Sequence, residues 1–130
     1  MDITDFQKSI QIADDLDEQA NRLNLYISDP EQSKADRVKA VEAQNKLRRE
    51  AAKLRIDTIT EIIGDQAPTI DAIVSAADKA RSAANKIGKI KSSLELATAT
   101  ITFFAALSTQ DLPKIIKAFS NFQDSIKSVA

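Results

Sequence analysis

The chain has 130 residues, 19 acidic against 18 basic side chains, two glycines, three prolines, and neither cysteine nor histidine. Disulfides, thiolate nucleophiles, imidazole bases and the commonest zinc ligands are therefore excluded, and a net charge of −1 lacks the basic excess typical of nucleic-acid binders. Few glycines and prolines, with no sustained period-2 alternation, point to an all-α single domain over 1–130.

The first predicted helix covers about residues 3–28. Asp2 is its expected N-cap, and Ile3, Phe6, Ile10, Ala13, Leu16, Ala20, Leu23 and Ile27 recur at steps of three and four, which commits one face to a core. Asp29-Pro30 ends it, because the proline ring disfavours the α conformation at the preceding residue. The same dipeptide, with Gln32 as a capping-box partner, is expected to start the second helix at about residue 30.

That second helix is predicted to run over 30–63, with Val38, Val41, Leu47, Ala51, Leu54, Thr58 and Ile62 as its seam and a polar layer at Gln44 and Asn45. Gly64 is expected as its left-handed C′ residue, and Pro68 marks the restart. The connection is short, so the next helix should turn back antiparallel.

The third predicted helix, 69–108, is the longest. Ile70, Ile73, Ala77, Ala80, Ala84 and Ile87 form its first seam, Ile90 follows after one step of three, and Leu94, Ala97, Ile101, Phe104 and Leu107 continue it. Gly88 falls at the irregular step, and glycine inside a helix costs about 1 kcal/mol relative to alanine, so a bend or loss of register is expected there. The small residues of the first half are expected to approach the second helix closely. The fourth helix, 111–129, is capped by Asp111 or Thr109 and buries Leu112, Ile115, Phe119, Phe122, Ile126 and Val129.

Short reversals between these segments give an antiparallel up-down-up-down four-helix bundle with a long central third helix. The acids Asp14, Asp15, Asp17 and Glu18 should pair within the chain with bases at about the height of 46–49 and 86–91. Exposed pairs of that kind contribute about 0 to 1 kcal/mol each.

For chemistry, Asp14, Asp17 and Glu18 share helical spacing, but the carboxylate–histidine pairs of di-iron bundles are impossible here and a solvated acidic face is the expected reading. There is no phosphate loop, nucleophile elbow or EF-hand pattern, so no enzyme, cofactor, metal or small-molecule substrate is expected. Arg48, Arg49, Lys53 and Arg55 spread around their helix, interleaved with Glu50 and without aromatics, which argues against nucleic acid. Residues 94–107 hold a single charge, Glu95. That length suits a buried core better than a bilayer span, with membrane insertion of 94–122 as the alternative. The expected function is protein–protein interaction in the cytoplasm, with a second copy as the simplest partner. Its expected interface is a second apolar line on the third helix, Leu96, Thr100, Phe103 and Leu107, together with Phe119 and Phe122.

Overall fold

A computed structural model describes residues 3–129, apart from the side chain of Ile3. Asp2, the expected first cap, lies outside the described residues. The described residues are all-helical: α1 Ile3–Arg22, α2 Asn24–Ile27, α3 Lys34–Ile56, α4 Ile70–Lys86, α5 Ile90–Thr109 and α6 Leu112–Val129. Five of these are long helices packed on one another, so the expected count of four is corrected, and the physical reasons lie at two junctions described below.

The one-turn helix α2 continues α1 after a tightened turn at Leu23, whose N–H bonds to the carbonyl three residues back, at Ala20. Asp29 then makes a turn instead of a helix cap: its carboxylate accepts from the Glu31 N–H at 3.0 Å and from Gln32 Nε2 at 3.2 Å. The helix begins four residues later than Pro30, at Lys34, because Ser33 adopts an extended conformation and its Oγ accepts from the Asp36 N–H at 3.1 Å.

The first departure from the predicted pattern comes at the end of α3. The apolar period continues to Ile63, yet the helix stops at Ile56 and Asp57 is extended. Thr58-Ile59-Thr60 is a β-branched run, stiff at χ1 and a poor helix former. Tertiary contact then decides. The fully buried Ser9 hydroxyl of α1 donates to the Leu54 carbonyl at 2.8 Å and accepts from the Ile59 N–H at 3.2 Å, replacing the helical partners of both. Gly64 is therefore not a helix C′ residue. It holds φ +146°, and a side chain there would collide with Leu112 at the start of α6.

The second departure splits the long third helix. Thr69 caps α4, with Oγ1 accepting from the Ala72 N–H at 3.0 Å. At Ile87 the chain turns extended, and helix resumes only at Ile90. The Ile87 carbonyl, freed from the helical ladder, accepts from Arg22 Nη2 at 3.1 Å and from the Tyr26 hydroxyl at 3.0 Å. Tyr26 in turn accepts from Ser93 Oγ at 3.0 Å. Gly88 has open space where a Cβ would be and no positive φ, so the break does not require glycine there, and the α1–α2 side chains hold it.

These contacts also fix direction. Ser9 meets Leu54 while Gln44 Nε2 donates to Asn24 Oδ1, so α3 runs antiparallel to α1. Lys8 meets Asp71 while Tyr26 meets Ile87, so α4 runs parallel to α1. Tyr26 meets Ser93 while Gln19 meets Thr100, so α5 runs antiparallel to it. The main neighbour of α4 is α1, with α6 and α5 behind. Its small buried face, Ala76, Ala77, Ala80, Ala83 and Ala84, thus serves a contact with α1 and not the expected one with the second helix.

Candidate functional site

The apolar end of the bundle is built from α5 and α6. Phe103 lies 5.0 Å from Phe104, 5.0 Å from Phe119 and 5.6 Å from Phe122 between ring centroids, and Phe104 lies 6.3 Å from Phe122. The two Phe104 pairs are edge-on, Phe103–Phe119 is tilted and Phe103–Phe122 is stacked, arrangements that suit the ring quadrupoles as well as burying area. Of the residues expected at an interface, Leu96, Thr100, Phe103 and Phe122 are wholly buried within the chain, whereas Leu107 and Phe119 are half-buried. The second apolar line of α5 therefore points inward. Phe119 and Phe122 of α6 pack on Phe103 and Gln19 of α1 reaches Thr100, and α5 also packs against α3 and α4.

Thr100 explains how a polar group is accommodated there. Its hydroxyl donates to the Leu96 carbonyl at 2.8 Å, and the Gln19 side-chain oxygen lies 3.3 Å away. Gln44 forms a comparable layer between α1 and α3, donating to the Ala20 carbonyl at 2.9 Å. Asn45, expected beside it, is exposed.

No protein-family model, curated protein or solved structure matches this chain. The candidate surfaces therefore stand on geometry alone.

The opposite face of α5 is open. Helices α3 and α6 flank it without closing over it, leaving a groove of about 720 Å³ whose floor is Leu94, Thr98, Ala99 and Thr102 and whose far wall is Ala118 and Asn121. A smaller hollow of about 280 Å³ shares Leu94, Thr98 and Thr102 and extends between α3 and α5. Lys39, Lys46 and Lys91 stand on the rim with Asp36, Glu42 and Glu95, three charges of each sign. The sequence carried a signal for this face: positions 91, 95, 98, 102 and 105 are spaced by four and three and hold no large apolar residue.

The acidic residues of α1 pair within the chain, as expected, but their partners differ. Arg55 takes Asp14 at 2.7 Å and Asp17 at 2.6 Å, and Arg81 takes Asp15 at 3.0 Å and Glu18 at 3.3 Å. Both guanidiniums are held more firmly protonated than usual, chiefly by hydrogen bonds, to Asp14 for Arg55 and to Asp78 for Arg81. Arg48 donates instead to Asn21 at 3.1 Å. Asp15 is the exception among the acids. Burial pushes its carboxyl up to about 6, only partly offset by Arg81.

Proposed function

We propose that this chain is a non-enzymatic interaction module that receives an amphipathic helix in the groove over α5, with a second copy of the same chain as the occupant. The observation that carries this reading is the open outer face of α5, floored by Leu94, Thr98, Ala99 and Thr102 between α3 and α6. Threonine and alanine side chains on the floor let a helix axis come close, and the groove runs along α5 from Lys91 to Thr102, about three turns, which suits anchors spaced along one face. The rim balances three lysines with three acids, so it favours a partner of mixed charge and no strong net sign. A second copy, itself at −1 overall, meets that description. Leu96, Thr100, Phe103 and Phe122 contribute from beneath by fixing α5 in position.

Light scattering on the eluting protein, across a range of loading concentrations, tests the proposal. A dimer is expected, and Thr98→Arg with Thr102→Glu, both on exposed sites, should return it to a monomer with unchanged helicity. A wild-type chain that stays monomeric at every concentration removes self-association.

One observation favours a second reading, a membrane-active bundle. Ile90–Thr109 is long and apolar enough to cross a membrane by length and composition, and less than half of that stretch is buried. Opening of the α5–α6 hairpin would release it. Dye release from vesicles between pH 5 and 8 is the test, and intact vesicles throughout would end this alternative.

A further inference from the structure

The segment between α3 and α4 does more than connect them. Residues 57–63 form a strap across one end of the bundle, fixed on one side by the Ser9 hydroxyl at Ile59 and on the other by the close approach of Gly64 to Leu112. Beneath and beside the strap is a cavity of about 640 Å³, within the size range of small-molecule pockets. Leu54, Ile62, Phe104, Leu107, Leu112 and Ile115 supply an apolar lining drawn from α3, the strap, α5 and α6. Ile63, also on this cavity, is 91% exposed, so apolar surface remains uncovered at its mouth.

One wall carries a charged group that the core does not require. The Glu50 side chain is only 9% exposed, lines the cavity, and forms an ion pair with the half-exposed Lys53 at 3.1 Å. Asp57 and Glu61 also line the cavity, so its charged groups are three acids against one base. A buried carboxylate next to an apolar lining, with acids at the rim, matches a ligand that brings its own cation on an aliphatic body.

We infer that this cavity binds an aliphatic ammonium: the alkyl chain lies against Leu54, Ile62, Phe104 and Leu112, and the ammonium donates to Glu50 in place of Lys53 Nζ. An anionic head group meets Glu50, Asp57 and Glu61 and is repelled. An uncharged one gains the apolar contact alone. The site is separate from the groove over α5 and does not depend on it.

Titration of the full chain with decylamine, protonated at neutral pH, with decanol and with decanoate, each below its aggregation threshold, tests this by amide chemical-shift changes and calorimetry. Saturable decylammonium binding is expected, tighter than decanol by about fivefold or more, with decanoate weakest, as expected for charges a few ångströms apart near water. The shifts should map to 50–63 and 104–115. Glu50→Gln should remove most of the preference of decylammonium over decanol, with Asp57 and Glu61 keeping the remainder, and Lys53→Met should tighten decylammonium by removing the competing ammonium. Asp57→Asn with Glu61→Gln carries the charge test at the exposed rim should Glu50→Gln fail to fold. Absence of saturable binding by all three probes, equal or tighter binding of decanol or decanoate, or shifts confined to the α5 groove would each overturn the assignment.

Discussion

Arg81 and Asp15 are joined across the α1–α4 contact with Nε 3.0 Å from Oδ1, yet the Nε–H is not aimed well enough to make a hydrogen bond, and Asp15 Oδ2 is buried without a hydrogen-bond partner among the described residues. The pair is thus electrostatic and incompletely satisfied. That geometry has a consequence in pH.

Asp15 binds its proton more tightly in the folded chain, at about 6, than the ordinary 3.8 of an exposed aspartate. Its contribution favours the fold fully below pH 4 and is lost as pH rises through 6. Discounted for screening by the solvent that reaches this partly buried carboxyl, the loss is on the order of 1–2 kcal/mol. Asp15→Asn should therefore gain stability relative to wild type between pH 4 and 7 by about that amount. Urea denaturation of both proteins across this window measures it, and a constant difference at all pH values would show that Asp15 does not titrate there.

The aromatic cluster should dominate the stability of the α5–α6 end. Phe103→Ala and Phe122→Ala each remove a fully buried ring and are expected to cost about 3–5 kcal/mol, because the surrounding rings can only partly close the cavity. Phe119, half-buried, should cost clearly less. Denaturant midpoints order the three, and a loss at Phe119 equal to that at Phe103 would contradict this packing.

Ser9→Ala should loosen the strap without disturbing the α1–α3 seam. Two hydrogen bonds are lost, leaving the Leu54 carbonyl and Ile59 N–H to find water, at a cost of about 1–3 kcal/mol. Amide exchange should accelerate at Ile59 and through 57–63 while the middle of α3 keeps its protection. Uniform acceleration along α3 would instead mean that Ser9 supports the whole helix.

The two glycines should respond oppositely to alanine. At Gly64 the positive φ costs about 1–3 kcal/mol for any L side chain, and the Leu112 side chain must also move. Gly88 has free space and no positive φ, so Gly88→Ala should be neutral or stabilise by up to about 1 kcal/mol through the unfolded state. Thermal denaturation separates the cases. A large loss at Gly88 would show that the break between α4 and α5 depends on glycine itself.

The apolar period made most core faces of the helices legible in the sequence, although Phe6, Val38 and Val41, on the expected lines, are exposed. The steps of three and four placed Leu16, Ala20, Leu47, Ile73, Ala80, Phe104 and Phe122 in the core, and all are buried. Asp111, one of the two caps expected for the last helix, does cap it, with Oδ1 accepting from the Lys114 N–H at 3.3 Å. The acidic cluster of α1, Asp14, Asp15, Asp17 and Glu18, announced internal pairing, though not its partners.

Tertiary structure decided the rest, because the deciding groups lie far apart in the chain. Periodicity continues through Thr58 and Ile62, but a serine 45 residues away takes the Leu54 carbonyl and ends α3. Seam spacing runs across Ile87, but Arg22 and Tyr26 capture its carbonyl and divide one expected helix into two. That division turned Leu96, Thr100 and Phe103 inward and left Thr98 and Thr102 on the groove floor, since a helix that changes direction also changes which of its faces finds a neighbour. Composition and period set most of the residues that are buried; long-range hydrogen bonds to the backbone set where α3 and α4 stop.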